Sequence, residues 1–343
     1  MSRAASPASA RVPLQQRIGE LGTSRVPGLV GAVLVVLGTA ALVAGMVPVG
    51  PEWLGVTGSL VIATTYTSAL AARTGGRPFV FGALALLCGL VAVLSDQDLL
   101  LTGAAVSTSA LAAVLGVMIT VPATGFLVAV RECAVALVCA GVGALATVGF
   151  EPAIQKERFE YVGLGLALVG ALVLVYRLGA GLHGLGRRGL AVVAIGGAVL
   201  AATLLYAELL RRYGSTGLVD ELLTWVRWSR ENLGAFPRPI ETVLGVPALA
   251  YGVHMRARRR QGWWVCAFGV AATSPTATAL ANPAVSLTEA TLSVVYGLVV
   301  GLVAGWLLIR LDLALTGNRG RRSRVAEQAA AVRPEPGRFA PLL

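Results

Sequence analysis

The chain has 343 residues, of which 56% are hydrophobic and 13% are charged, and its formal net charge is +11. In soluble globular domains about a quarter of the residues are charged, so this composition excludes an ordinary soluble domain and indicates a membrane protein. The positive charge does not indicate nucleic-acid binding, because the arginines cluster beside apolar segments, where anionic lipid headgroups attract them.

Ten apolar segments predict an all-α, polytopic transmembrane helix bundle. A helix of about 20 apolar residues crosses the hydrocarbon core of a bilayer. The predicted spans are residues 27–47, 53–72, 78–94, 99–120, 126–149, 161–178, 189–208, 240–255, 262–281 and 287–310. The eighth is short and contains Gly245, Pro247 and Gly252. We retain it because otherwise the basic residues that follow it would lie on the opposite side of the membrane from the other basic loops.

Charge alternates between successive connections. Most of the 28 basic residues lie in the two tails and in every second connection, and the acidic residues are concentrated in the others. Basic loops resist translocation, so this pattern places both termini in the cytoplasm and the protein in the cytoplasmic membrane. The predicted organisation is a basic, disordered tail (1–26), a membrane domain (27–310) and a second basic, disordered tail (311–343). The first segment is too long for the core of a cleavable signal peptide, which predicts a retained helix.

One long outer connection, residues 209–239, predicts an amphipathic helix. Ser215 or Thr216 suits its start, and Gly234 suits its end. Trp225 lies in its apolar arc, whereas Asp220 lies on the polar side. Such a helix is expected to lie flat in the outer membrane interface. There it serves as a lid or docking surface, or as a linker that rests on lipid.

Arg131 and Glu132 are adjacent ionisable residues inside the fifth span, where a charge is costly and therefore indicates function. Their side chains point about 100° apart, so we expect no direct pairing between them. Arg131 shares its face with valines and is expected to extend to the headgroups. Glu132 shares its face with small residues, which favours a buried position against a neighbouring helix. It is either a coupling or substrate-contacting carboxylate, or a structural carboxylate satisfied by a nearby Ser, Thr or Arg.

The tenth span carries Glu289 near its outer end and then Gly297, Gly301 and Gly305 at steps of four residues. Such a glycine stripe allows close helix packing, either within the bundle or between two copies of the chain. Glu289 is a second candidate for coupling or substrate binding, at a depth that water can reach.

Hydroxyl-bearing residues mark the second and ninth spans as candidate linings of a solute site. The second contains Thr64 and Ser68, and the ninth contains Ser274 and Thr276 on either side of Pro275. A proline frees a backbone carbonyl inside the membrane, and transporters build solute sites from such interrupted helices. The alternative is an ordinary helix kink.

Aromatic and basic residues predict contacts with the lipid interface. Trp residues occupy the headgroup level, and Arg residues lie just beyond it. The residues assigned to this interface are Arg131, Trp225, Arg256, Arg258, Arg259, Arg260, Trp263 and Trp264. They predict contact with the bilayer and allow specific binding of an anionic lipid.

The sequence predicts neither a metal site nor a cofactor. All four cysteines lie inside apolar segments, and the two histidines are far apart in sequence. Phosphate-binding loops and the motifs of hydrolases and kinases are missing from the sequence. We therefore expect a protein that is not an enzyme. Asp96 and Asp98 give the one indication of a transferase, because transferases that use polyprenyl-phosphate sugars need outer acidic residues, but their loop is very short.

Arg73-Thr-Gly-Gly-Arg77 resembles the basic loop of major facilitator transporters, with Ala72 in place of the acidic residue that precedes the first Arg there. Ten helices with both ends inside also resemble the plan of drug/metabolite transporters. These resemblances imply transport. The leading prediction is a permease for a small or lipidic solute, and it is based on Glu132 as the candidate coupling carboxylate and on the second and ninth spans as the candidate lining. The alternative is a structural or assembly subunit of an envelope complex, which binds a membrane partner or a second copy. A membrane-embedded glycosyl or lipid transferase is the third hypothesis.

Overall fold

The computed structural model contains helices and no strand over the residues that it describes, which are 26–47, 50–51, 53–153, 156–178, 182–213, 216–257, 261–281, 285–330 and 335–342. Its α-helices are α1 (Val26–Met46), α2 (Trp53–Arg73), α3 (Pro78–Ser95), α4 (Asp98–Met118), α5 (Phe126–Val148), α6 (Lys156–Arg177), α7 (Leu182–Tyr213), α8 (Thr216–Leu233), α9 (Val246–Arg256), α10 (Gly262–Ala267), α11 (Val270–Thr278) and α12 (Leu287–Ala330). A π-helical turn (Glu241–Gly245) precedes α9, and a 3-10 turn (Ala279–Ala281) follows α11.

Among these residues, eight helices are long and apolar enough to cross a membrane. They are α1 to α6, the joined segment Gly262–Ala281 and the apolar part of α12. This finding supports the predicted membrane helix bundle. Two of the ten predicted spans fall short of the length criterion: the apolar part of α7 is Val193–Leu205, and the span 240–255 is the π-helical turn followed by α9. The number of spans stays a prediction.

Side-chain contacts define two ends of the bundle. At the arginine end, Arg73 and Arg256 both reach the C-terminus of α4. At the Glu289 end, the C-terminus of α8 meets the start of α12 through Arg230 and Glu289. The chain leaves α8 at the Glu289 end and reaches Arg256 at the arginine end. The π-helical turn and α9 together therefore run through the bundle from one end to the other.

Pro247 explains the π-helical turn before α9. Proline has no N–H, so it cannot donate to the carbonyl of Val243 and the regular helical ladder is interrupted. The chain widens instead, and Val246 N–H donates to Glu241 O, five residues earlier. Such turns are rare within helices and are frequent at functional sites.

Glycines allow the π-helical turn and α9 to pack closely between two neighbouring helices. Gly245 abuts the backbone of Ala272 in α11 and leaves no room for a side chain. On the other side, a Cβ added at Gly301 of α12 would lie 2.6 Å from the Cβ of Val246. The residues that weaken this segment as an isolated span are thus the ones that fit it into the bundle.

The centre of the bundle is formed by α4 and α5. The small-residue face of α5 that contains Glu132 is buried, and Val138 on the other face is exposed. The polar helix α2 packs on α4 and α5 from one side, and α11 packs on them from the other. The two helices predicted to line a common solute site are therefore held apart by α4 and α5.

The amphipathic helix α8 is fixed at the Glu289 end by its C-terminus. Gly234, with a φ of 77°, turns the chain after it. Tyr296 Oη of α12 donates to Leu233 O (2.8 Å), and Ser293 Oγ donates to Phe236 O (2.7 Å). The side chain of Trp225 is 64% exposed. Contact of this helix with the headgroup layer stays a prediction.

The C-terminal part of the chain differs from the predicted disordered tail 311–343. Helix α12 continues to Ala330, and residues 335–342, here called the C-terminal segment, lie on the arginine end. Leu342 N–H donates to Arg73 O (2.8 Å). The proline-rich composition that predicts disorder is overridden because buried side chains of the bundle satisfy the polar groups of this segment. The predicted tail 1–26 lies outside the described residues, apart from the first residue of α1.

Candidate functional site

Three arginines, from α2, α9 and the C-terminal segment, each donate to one of three consecutive carbonyls at the end of α4. The pairs are Arg73 Nε to Met118 O (3.0 Å), Arg338 Nη1 to Ile119 O (3.1 Å) and Arg256 Nη2 to Thr120 O (3.0 Å). The last carbonyls of a helix have no partner within it and form the negative end of its dipole, which favours cationic donors. The following loop, 119–125, has no charged residue of its own. We call these three arginines, with Arg131, Glu132 and Glu335, the arginine cluster.

Glu132 is completely buried, and its carboxylate is fully paired. Arg338 Nη2 lies 2.8 Å from both oxygens, and Val121 N–H donates to Oε2 (2.9 Å). Arg131 Nε also donates to Oε1 (3.0 Å). The expectation that Arg131 and Glu132 do not pair is wrong, because the long Arg131 side chain bends across the angle between them. A carboxylate held by two guanidinium groups and a backbone N–H has the surroundings of a structural ion pair.

Arg256 lies inside the protein, which corrects its assignment to the lipid interface together with Trp263 and Trp264. Its guanidinium is buried, lies 2.6 Å from the Glu335 carboxylate, and donates to Thr120 Oγ1 (2.7 Å). The guanidinium carbon lies 3.4 Å from the centre of the Trp263 ring, a cation–π contact. Trp264 is buried in the main apolar core. Arg258, Arg259 and Arg260 lie outside the described residues.

Arg73 is also buried, but it contacts carbonyl oxygens rather than a carboxylate. Besides Met118 O, it donates through Nη1 to Gly337 O (2.7 Å) and to Ala340 O. Its Nη2 has no hydrogen-bond partner within the described part of the chain. Leaving a buried donor of a charged group unpaired is energetically costly. Arg73 is therefore a buried residue with defined contacts in the bundle, whereas a residue of a basic loop would be exposed.

Glu241, in the π-helical turn, is the other completely buried carboxylate of the described ranges. Neither of its oxygens has a hydrogen-bond partner there. Gly297 of α12 lies against it, and a Cβ at Gly297 would lie 2.9 Å from the carboxyl carbon. Arg238 and the Thr276 hydroxyl lie close enough to favour the ionised carboxyl group, although neither meets hydrogen-bond geometry to its oxygens. Both donate elsewhere: Arg238 Nη1 to Pro275 O (2.6 Å), and Thr276 Oγ1 to a carbonyl one turn earlier in α11 (3.0 Å).

Two interruptions of regular helical structure lie close together at Glu241. The π-helical turn contains the carboxyl group itself, and Pro275 lies inside α11. An isolated carboxylate in a membrane-embedded bundle carries a large desolvation penalty. A carboxyl group with this geometry is suited to hold a proton, or to bind a cation when its surroundings open.

The other candidates for a solute site are dispersed. In α2, Ser68 Oγ lies against Gly82 of α3, and the Thr64 hydroxyl is buried without a partner in the described ranges. Ser274 lies beside Gly163 of α6, on the far side of α4 and α5. Glu289 forms an ion pair with Arg230 (3.1 Å) at the opposite end from Glu132. Among the described residues, Thr276 is the predicted candidate that lies beside Glu241, and Glu241 itself was not among the predicted candidates.

The glycine stripe of α12 faces the segment that contains Glu241 and α9. Gly297 lies against Glu241, Gly301 against Val246, and Gly305 against Ala250. The stripe therefore packs within the bundle, and a second copy of the chain cannot use the same face. Asp96 and Asp98, the residues that suggested a transferase, are exposed at the short turn between α3 and α4.

Sequence reasoning does not identify Glu241, although the criterion that identifies Glu132 applies to it equally. It is the one acidic residue within the predicted span 240–255. Arg338 gives no comparable signal, because it lies in a proline-rich tail and its partner Glu132 is 206 residues away.

Over the ranges that the structure describes, no group of three or more His, Cys, Asp or Glu side chains is arranged to hold a metal ion. Comparisons with family models, with curated proteins and with solved structures give no significant match for this chain. The function is therefore inferred from the geometry alone.

Proposed function

We propose that this chain is a permease of the cytoplasmic membrane for a small or lipidic solute, with Glu241 as its proton-coupling carboxyl group. The observation that carries the proposal is the complete burial of Glu241 with both oxygens unpaired among the described residues. In this proposal both termini lie in the cytoplasm, as the charge pattern predicts.

The protonated and ionised states of Glu241 couple the movement of a proton to the transport of the solute. The protonated carboxyl group tolerates the apolar contact with Gly297, whereas the ionised group requires a positive charge nearby. Arg238 is the basic residue that acts on this carboxyl group, and it now donates to Pro275 O in α11. When Glu241 loses its proton, Arg238 exchanges its hydrogen bond to Pro275 O for an ion pair with the Glu241 carboxylate. The exchange breaks the bond that ties α11 to the residues just before the π-helical turn, and in this proposal a path opens there.

Glu132 does not take the coupling role in this proposal. Its carboxylate is held by Arg338, Arg131 and the Val121 N–H, so each oxygen already accepts from charged or backbone donors. Binding a solute or a proton at Glu132 would require these contacts to break first. The structural alternative given for this residue therefore fits the geometry better.

Difference infrared spectroscopy of the purified protein in lipid nanodiscs tests the protonation of Glu241. The carbonyl stretch of a protonated carboxyl group is distinct from that of a carboxylate. We expect this signal at neutral pH in the unmodified protein, its loss in Glu241→Gln, and its retention in Glu231→Gln, an exposed position of α8. A signal that persists in Glu241→Gln contradicts the proposal.

Uptake of a panel of radiolabelled amino acids, sugars, nucleosides and short-chain lipids tests transport itself. For any solute that the unmodified protein accumulates in cells, Glu241→Gln should abolish accumulation driven by the pH gradient. Glu231→Gln should retain it. Accumulation by Glu241→Gln at the unmodified rate excludes Glu241 as the coupling group.

An assembly subunit of an envelope complex is the second proposal, and the exposed aromatic residues of α8 favour it. Trp225 and Trp228 both project from this helix at the Glu289 end. Exposed tryptophans are common anchors in protein interfaces. A photo-crosslinking residue in place of Trp228 should then yield one major protein adduct in cells. Lipid adducts alone would contradict this proposal.

A further inference from the structure

The C-terminal segment places oxygen atoms on Arg73 and Arg256, the two arginines that are buried among the residues described by the structure. The Glu335 carboxylate contacts Arg256 at two points, 2.6 Å from Nη2 and 3.4 Å from Nε. The carbonyls of Gly337 and Ala340 accept from Arg73. We propose that Arg73 and Arg256 form a phosphate-binding site that the C-terminal segment fills when no ligand is bound. This inference does not depend on Glu241 or on solute transport.

The charges of the bundle are unbalanced without the segment. Among the described residues, Glu132 is then the carboxylate that remains in the cluster with Arg73, Arg131 and Arg256, and Arg131 still pairs with it. The segment carries one acidic and one basic residue. It therefore supplies hydrogen-bond acceptors to the arginines without changing the excess of positive charge. A phosphate group brings about two negative charges to the same place. Its oxygens also match the planar fork of a guanidinium group.

Arg73 points to a ligand other than the segment. The residue is only 3% exposed, and its Nη2 has no partner in the described residues even with the segment in place. Arg256 is held on the face of Trp263 and offers two nitrogens to Glu335. Donors that are already buried and ordered bind an anion without a further ordering cost. Both arginines contact the end of α4 and the same C-terminal segment, so we take the Arg73 Nη2 and the two Arg256 nitrogens as the donors to the oxyanion.

Arg338 sets the condition for release of the segment. When the segment leaves, Arg338 also leaves the Glu132 carboxylate, which it contacts at 2.8 Å through both oxygens. A ligand must therefore compensate for the loss of both the Glu335–Arg256 contact and the Arg338–Glu132 contact. A phosphate meets this condition, whereas a monovalent carboxylate does not. A lipid headgroup and free phosphate present the same oxyanion, and the experiment distinguishes them.

A spin label on the segment tests its displacement. The label is placed by Phe339→Cys, at an exposed position, with Cys88→Ser to remove the exposed native thiol. In phosphatidylcholine nanodiscs we expect a restricted label. Phosphatidic acid in the nanodisc, or inorganic phosphate in the buffer, should raise its mobility. Release by one of the two identifies the source of the phosphate. Release by neither, or equal release by sodium chloride of matched ionic strength, overturns the proposal.

Binding of a fluorescent short-chain phosphatidic acid and competition by inorganic phosphate test the site itself. Glu335→Gln removes the competing carboxylate but leaves Arg73 and Arg256 intact. If the segment occupies the site for nine-tenths of the time, displacement of the segment by this substitution raises the apparent affinity for the fluorescent lipid about tenfold. Glu231→Gln is the matched control and should not change the affinity. In the Glu335→Gln background, Arg73→Lys keeps the charge, loses the fork and should weaken binding. Unchanged affinity in either variant overturns the proposal.

Discussion

Replacing Glu132 by Gln removes one charge from the buried ion pair at the arginine end and keeps the size of the side chain. Glu132 is completely buried, and the side chain of its partner Arg338 is 19% exposed. Removing one member of a buried pair costs about 3–5 kcal/mol, because the partner is left as an uncompensated charge. Arg338 can regain water when the C-terminal segment detaches, so we expect the lower end of this range, about 3 kcal/mol.

Glu289→Gln is the matched control, because it makes the same change in an ion pair at the opposite end of the bundle. The side chain of Glu289 is 26% exposed and that of its partner Arg230 is 57% exposed. Solvated pairs of this kind contribute about 0–1 kcal/mol. The two variants therefore separate the effect of burial from the effect of the substitution.

Titration with sodium dodecyl sulfate in mixed micelles, followed by circular dichroism, measures the free energy of unfolding. Trypsin cleavage after Arg338 measures detachment of the segment. We expect Glu132→Gln to lower the free energy of unfolding by about 3 kcal/mol and to accelerate cleavage. Glu289→Gln should do neither. Equal values for the two variants would refute the conclusion that the Glu132–Arg338 pair holds the segment in place.

Three further predictions concern packing, interhelical hydrogen bonds and the position of α8. Gly301→Ala forces a methyl group against α9 and should cost about 1–3 kcal/mol of stability, whereas Gly165→Ala, which meets no atom within 4 Å, should cost nothing in the same titration. Ser59→Ala removes a buried 2.7 Å bond to a carbonyl of α5 and should cost about 0.6–1.7 kcal/mol; Thr57→Ala, which loses an exposed bond within its own helix, should have a smaller effect, and equal losses would contradict the burial argument. In liposomes, Trp225→Cys should resist a membrane-impermeant thiol reagent that labels it in mild detergent; rapid labelling in both would exclude contact of α8 with the membrane.

Most of the long apolar helices, and the grouping of basic residues at one end of the bundle, could be predicted from the sequence. The predicted spans 53–72, 126–149 and 262–281 match helical segments of the structure to within one residue. The alternation of charge also places Arg73, Arg256 and the C-terminal tail on one side, and all three meet at the arginine end. These features follow from hydropathy and local charge, which act on each segment separately.

The candidate site could be predicted only in part, because its contacts depend on tertiary packing. The small-residue face of α5 predicts the burial of Glu132, but its pairing with Arg338 comes from a distant segment whose composition indicates disorder. Glu241 was accessible to the same reasoning as Glu132. It lies in the segment that looks weakest as a span, since Pro247 and two glycines interrupt the apolar pattern. In the structure Gly245 fits this segment closely against α11, and Glu241 lies against Gly297 of α12.

The order of synthesis gives Glu132 two successive environments. Arg338 lies 206 residues farther along the chain. At about 5–20 residues per second, the ribosome needs about 10–40 s to reach it after Glu132. During that interval the carboxylate has Arg131 and the Val121 N–H as its partners, while later helices enter the membrane. The arginine cluster is thus completed last, and the second guanidinium group reaches Glu132 only after α5 has been synthesised.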